Sequence, residues 1–246
     1  YASGLSKDAL KGKRLGLYGP GWRTNELSAE ASDLYARAIN ELTDLGAEFI
    51  LDPFAGTDFV SYRQITPGTP FFDGRGLESI PYDMTNYLER LGPDAAIKTW
   101  DEFVEATKAE NVLAKGAILG FLNELPDFVE AVKSPTTPPA LPAFTALKRA
   151  YLLLIDEVFA HHRLDALVYP QMLCELPGLN SGDAILETTV GELNIAGIPG
   201  VTVPAGYYAS GAPFELIFLG KQWSEHLLIQ CAYAYEQGTL HRKPAV

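Results

Sequence analysis

Arg14-Leu15-Gly16-Leu17-Tyr18 is a short apolar run behind the basic turn Lys11-Gly12-Lys13, and the stretch from there to Leu51 decides the fold. Gly19-Pro20-Gly21 is turn chemistry. Ser28 is placed to cap a helix through its side-chain oxygen. Beyond it Ala31, Leu34, Tyr35, Ala38, Ile39, Leu42 and Leu45 recur at helical spacing, with Asp33, Arg37, Glu41 and Asp44 on the other side. Gly46 stands where a left-handed residue would end that helix. Phe49-Ile50-Leu51 reads as a second strand. Strand, helix and strand in so short a span predict a βαβ unit over residues 10–52, its parallel strands joined by a right-handed crossover.

Outward from that unit, residues 53–145 read as an excursion of loops and helices that could form a pocket wall. Pro67-Gly68-Thr69-Pro70-Phe71-Phe72-Asp73-Gly74-Arg75-Gly76 is loop chemistry, whose aromatic residues either line a pocket or pin the loop to the body. Alternation of apolar and charged positions predicts helices over 83–91 and 100–115. Pro135, Pro138, Pro139 and Pro142 make 134–142 a rigid connector. Residues 146–246 read as the return to the sheet, ending in a C-terminal helix. Leu147 to Phe159 is amphipathic and ends near His161-His162. A buried strand, Leu164-Asp165-Ala166-Leu167-Val168-Tyr169, is stopped by Pro170. Residues 171–187 are loop, Asn194 to Gly206 is a Gly- and Pro-rich irregular turn, Phe214 to Leu219 is a strand, and Trp223 to Glu236 is a helix. The fold class expected is α/β, with part of a mixed, mostly parallel central sheet flanked by helices.

The composition narrows the function classes. The chain has 246 residues, 47% hydrophobic and 20% charged, which is ordinary for a folded globular protein. A net charge of −12 repels phosphate backbones and anionic lipid, so neither nucleic acid nor a membrane is an expected partner. No apolar run reaches the roughly 20 residues needed to span a bilayer. The start, Tyr1-Ala2-Ser3-Gly4, has no signal-peptide character and no initiator Met, so a cytoplasmic protein whose chain begins inside a longer one is expected. Cys174 and Cys231 stand apart, and two buried free thiols are expected, a single bridge between them being the alternative. There is no HExxH, no Cys/His cluster, no GxSxG elbow and no dinucleotide or Walker fingerprint, so no metal and no cofactor is expected. The residues alone show no catalytic group.

A more specific reading comes from motif order. Asp165-Ala166-Leu167-Val168-Tyr169-Pro170 is followed by Asn194-Ile195-Ala196-Gly197-Ile198-Pro199-Gly200, running on to Pro204 and Gly206. Then comes Gly211-Ala212-Pro213 before a strand ending in Gly220, and a helix closing in Tyr235-Glu236. Leu10-Lys11-Gly12-Lys13-Arg14-Leu15-Gly16 opens the chain. This ordered set resembles the C-terminal half of the amidase signature enzymes, and loosely covers the whole chain. One departure is Phe214-Glu215-Leu216, where the family has a small residue and glycine; Glu215 either faces solvent on a sheet edge or lies near a partner segment.

The resemblance implies hydrolysis of a carboxylic amide through an acyl-enzyme. A lysine base, a bridging serine and a serine nucleophile would all lie in the N-terminal half, and nothing here matches them; Asn180-Ser181-Gly182 is a plain turn. This portion alone is then expected to be inactive, with the N-terminal half, on the same or a separate chain, as its partner. A homodimer stays open. The substrate expected is a small-molecule amide. Strand-end position makes Gln171, Met172, Leu173 and Trp223 candidate substrate-binding residues. Lys148 and Arg149 fall where the amidotransferase members place a substrate-binding arginine, or form a solvated basic face. Asn194 either contacts substrate or satisfies backbone groups of its turn. Apolar Met172, Leu173 and Trp223 suit an aryl or alkyl amide. A non-catalytic binding domain on the same fold and an amidotransferase-type subunit are the alternative readings.

Overall fold

In the computed structural model the Ser28 hydroxyl accepts the Ala31 N–H at 3.2 Å and so starts the first helix. The structure describes residues 1–63, 76–110, 112–115, 117, 119–189 and 191–244; the loop expected at 67–75, with Phe71 and Phe72, lies outside them. In chain order the elements are β1 (Arg14–Leu17), α1 (Ala29–Asp44), β2 (Glu48–Ile50), α2 (Ile80–Arg90), α3 (Trp100–Ala106) and α4 (Pro126–Val132). They continue as α5 (Pro142–His162), β3 (Ala166–Pro170), α6 (Gly191–Ala196), β4 (Gly200–Tyr207), β5 (Pro213–Leu219) and α7 (Glu225–Thr239). Short 3-10 turns join several of them. The chain divides into two compact units, one of Tyr1–Arg63 with Lys148–Val246 and one of Gln64–Leu147.

The first unit is a five-stranded sheet in the order β2-β1-β3-β5-β4. β1 pairs in parallel with both β2 and β3, whereas β5 is antiparallel to β3 and to β4. The sheet is therefore mixed, with the βαβ unit at one side. Gly46, at φ +89°, follows α1 and turns the chain into β2, a conformation that glycine adopts without a Cβ clash. Leu15, Leu17, Ala166, Val168, Leu216 and Phe218 share a core with Ala38 and Leu42 of α1 and Leu228, Cys231 and Tyr235 of α7. The alternate positions of β3 serve the opposite face, as a period of two requires. There Tyr169 meets Trp22 edge-on at 5.2 Å, Trp22 stacks on Phe59 at 4.4 Å, and Phe59 meets Tyr151 of α5 at 5.2 Å. Phe54 and Phe59 are fully buried, worth about 1.5–3 kcal/mol each.

In the second unit α2, α3 and α4 gather around Trp100, Leu122 and Phe128, with Ile80, Met84 and Phe103 packed against them. Thr99 caps α3 by accepting the Glu102 N–H at 3.1 Å, and the Glu102 carboxylate reaches back to the Lys98 N–H at 2.6 Å.

Four expectations change. The helix expected over 100–115 stops at Ala106, where the Thr107 hydroxyl bonds back to the Phe103 carbonyl at 2.9 Å. The irregular turn expected over 194–206 instead holds the end of α6 and most of β4. An edge strand tolerates Pro204 because one side of its backbone needs no ladder partner, and the register shifts between Pro204 and Gly206. Glu215 lies on β5, an interior strand, and not on a sheet edge. Both cysteines are free, but Cys174 is only partly buried while Cys231 is buried completely.

Candidate functional site

Parallel pairing places the ends of β1, β2 and β3 at one edge of the sheet, and β4 ends there beside the start of β5. The loops leaving those ends are tied to each other. The Gly21 N–H lies 3.0 Å from each oxygen of Asp52, which fastens the loop after β1 to the loop after β2. A Cβ on Gly21 would drive into the backbone of Phe54 and Ala55. Trp22 Nε1 donates to the Thr188 carbonyl at 3.0 Å. The Arg23 guanidinium donates to the Glu187 carbonyl and lies 3.2 Å from its carboxylate. It also lies 3.5 Å from Glu192, whose side chain has no exposed surface, while Arg23 itself is 6% exposed. Burial of this kind is sustained only where charges are paired. The Tyr169 hydroxyl is buried beneath these loops, and burial, above all, pushes its pKa well up. The result is a strand-end platform of peptide groups, aromatic rings and two partly exposed carboxylates, Asp52 and Glu187, suited to holding and orienting a ligand.

The residues expected from sequence fall into two groups. Gln171 sits on the platform: its N–H donates to the Glu215 carbonyl at 3.0 Å, and its side-chain oxygen lies 3.5 Å from the Thr202 hydroxyl. Met172 follows it, bridges to Glu187 and lines a small cavity. Leu173 is 5% exposed, and its backbone bonds to Ser28 and Leu186, so it supports the loop from within. The second group lies around the turn from α6 to β4. An added Cβ at Gly197 would stand 3.5 Å from Lys148 Nζ and 3.8 Å from Gln222 Nε2, and Gln222 donates to the Ala196 carbonyl at 3.2 Å. Asn194 is exposed on α6, Arg149 is exposed on α5, and Trp223 is 89% exposed at φ +66°. Lys148 is thus directed at the Gly197 turn. Among the described residues no three His, Cys, Asp or Glu side chains gather as a metal site. A larger groove of about 400 Å³, beside Pro53, Leu154, Glu157, Val158, His161 and His162, contains none of the expected residues.

Arg23, Glu187 and Glu192 escape the sequence reading because 164 residues separate Arg23 from Glu187. The available signal was a lone arginine just after a Gly-Pro-Gly turn at a strand end. Among the described residues no helix is long and apolar enough to cross a membrane.

No protein-family model matches the chain. A probable amidase of Arabidopsis thaliana is 52% identical over 52 residues, 21% of this chain and 10% of that one. A glutamyl-tRNA(Gln) amidotransferase subunit of Cereibacter sphaeroides is 25% identical over 252 residues, 96% of this chain and 47% of that one. Among solved structures, a peptide amidase in complex with the competitive inhibitor chymostatin superposes with a TM-score of 0.68 at 27% identity, over 97% of this chain and 46% of that one. The peptide amidase of Stenotrophomonas maltophilia gives 0.66 at 27% identity, over 97% and 45%. An aryl acylamidase of the amidase signature family, at 18% identity and a TM-score of 0.51, shares the fold. The chain therefore spans about half the length of the relatives it matches from end to end. With its mixed five-stranded sheet flanked by helices, it is a relative of the amidase signature enzymes and carries their fold over nearly all of its own length.

Proposed function

We propose that this chain is the C-terminal portion of an amidase that hydrolyses a small-molecule carboxylic amide through a serine acyl-enzyme. One observation carries the reading: the match over 97% of the chain to a peptide amidase, of which it spans 46%. The complementary N-terminal portion, on the same polypeptide or a second one, supplies the chemistry. Its lysine takes a proton from a bridging serine, which activates the nucleophilic serine. That oxygen attacks the amide carbonyl, donors hold the oxyanion, the amine leaves, and water releases the acid. The present chain contributes part of the sheet and one wall. Gln171 and Met172 present polar and apolar surface to the ligand, with Leu173 behind them. Lys148 at the Gly197 turn is a second candidate contact, and the exposed Arg149, Asn194 and Trp223 are further candidates. The apolar character of Met172, Leu173 and Trp223 suits an aryl or alkyl amide. The two free thiols fit a reducing compartment such as the cytoplasm.

The test is reconstitution. The 246 residues are assayed for release of nitroaniline from acyl p-nitroanilides and of ammonia from primary amides, alone and joined to the segment encoded upstream. Turnover by the joined protein only is expected. Comparable turnover by the chain alone refutes the division of labour, and a well-folded joined protein inactive on every amide refutes the amidase. The relatedness to amidotransferase subunits favours a second reading, in which the protein releases ammonia for a partner. It predicts glutamine hydrolysis stimulated by that partner.

A further inference from the structure

The turn between β5 and α7 holds a tryptophan where glycine would fit more easily. Trp223 sits at φ +66° with 89% of its surface exposed. The left-handed region is rare and strained for a bulky side chain, and such strain persists only where neighbouring contacts impose it. They do so here. Lys221 Nζ lies 3.0 Å from Asp156 of α5, and Gln222 Nε2 donates to the Ala196 carbonyl at 3.2 Å. The Ser224 hydroxyl and N–H both donate to the Lys221 carbonyl, at 2.7 and 3.2 Å. The Gly220 N–H donates to the Pro199 carbonyl at 3.2 Å. Residues on both sides of Trp223 are thus fastened to α5, to α6 and to the start of β4, and the indole projects from them.

This corner adjoins the open flank of the sheet. Among the described residues β4 pairs only with β5, and Gly200 and Thr202 near its start are exposed. Unpaired edge groups of this kind are a template for a further strand. Leu153, three residues before Asp156 on α5, is 55% exposed, so apolar surface lies open on both elements that the Lys221–Asp156 pair joins. A second copy of the chain, with the same charge of −12, is repelled. The relatives matched from end to end are about twice as long as this chain, so half of such an enzyme lies outside it. We propose that Trp223 is the anchor through which this chain grips the complementary N-terminal portion, its indole entering an apolar pocket there beside the free edge of β4. Tryptophan is among the side chains most enriched in such anchors. One already held in place loses little entropy on docking. The identity of the partner rests on the amidase reading above.

Hydroxyl-radical footprinting read by peptide mass spectrometry separates the three indoles, because Trp22 and Trp100 are 0% and 2% exposed and give the protected rate. The 246-residue chain and the protein joined to its upstream segment are compared without substrate. Trp223 is expected to label fast in the chain and to fall to the rate of Trp22 and Trp100 in the joined protein. Equal labelling in both overturns the proposal, and is the result if the indole meets only substrate. Protection that grows with the concentration of the 246-residue chain alone indicates a second copy and also overturns it. Trp223→Gly suits the φ of +66°, so the urea midpoint of the chain alone should hold. That of the joined protein should fall by about 0.5–1 M, the shift expected when an interface anchor is lost. A midpoint lowered in the chain alone, or unchanged in the joined protein, overturns the anchor. Neither readout needs turnover. A joined protein that protects Trp223 yet hydrolyses no amide refutes the amidase and leaves the anchor standing, and an active one with Trp223 exposed does the reverse.

Discussion

Replacing Arg23 by methionine tests whether the strand-end platform is held by its buried charges. The guanidinium lies 3.5 Å from a Glu192 oxygen, and neither side chain has more than 6% of its surface exposed. Coulomb attraction at that separation is about 5 kcal/mol at an effective dielectric of 20. Methionine keeps the volume but leaves the Glu192 carboxylate without this counter-charge, a change that costs about 3–5 kcal/mol for a buried pair. The bond to the Glu187 carbonyl adds about 1 kcal/mol, and the half-solvated Glu187 carboxylate adds little more. Against a typical total of about 5–15 kcal/mol, such a loss approaches unfolding. Urea denaturation followed by tryptophan fluorescence should show the midpoint falling by about 2–3 M, taking a slope of about 2 kcal/mol/M. The double variant Arg23→Met with Glu192→Leu should recover most of it, giving a coupling of at least about 2 kcal/mol. A loss under about 1 kcal/mol in Arg23→Met, or strictly additive effects in the cycle, would refute the reasoning.

Other outcomes follow from the same geometry. Tyr35 links the end of β1 to β3, since its hydroxyl accepts the Tyr18 N–H at 3.1 Å and donates to the Val168 carbonyl at 2.7 Å; Tyr35→Phe should lower the free energy of unfolding by about 1–3 kcal/mol, measured in urea. Gly21→Ala forces a methyl into the Phe54 backbone and should lower the thermal midpoint, while Gly56→Ala, where a Cβ meets no neighbour, is strained only by its φ of +76° and should cost less. Burial, chiefly, pushes the Cys231 thiol from 9.0 up to about 12. The unfolded chain thus releases that proton first, so this group's contribution is intact below pH 9 and is lost as pH rises towards 12, by about 1.4 kcal/mol per unit. The pH dependence of the urea midpoint between pH 9 and 12 should be shallower in Cys231→Ala; an unchanged slope would show that the thiol does not titrate with unfolding.

The fold was legible where periodicity and local chemistry agree. Ser28, the helical spacing from Ala31 to Leu42 and Gly46 specify β1, α1 and β2, because each signal acts within a few residues. β4 was not legible, since Pro199, Pro204 and two glycines argue against a strand unless the strand is known to be at an edge, and edge position is a property of the whole sheet. Cys174 looked like any short apolar residue, yet its place beside the β4–β5 turn leaves it partly open. At the candidate site, Gln171 and Met172 could be named from strand-end position alone. The Arg23–Glu187–Glu192 cluster could not, because its members meet only after β1 and β3 pair. Leu173 and Met172 are neighbours of similar hydrophobicity, and only the backbone direction at the strand end decides which one is buried.

Leu15 pairs with Ala166, so the two central strands are separated in the sequence by all the residues of the second unit. A ribosome adding 5–20 residues per second would take roughly 8–30 s to reach Ala166 after Leu15. Throughout that interval the nascent βαβ segment has one strand flank vacant and its apolar helix face only half covered, the profile of a chaperone client. Refolding from denaturant has no such delay but must close the same separation at once, an entropic cost of about 4 kcal/mol. The two routes to this native state therefore differ in which obstacle is met first.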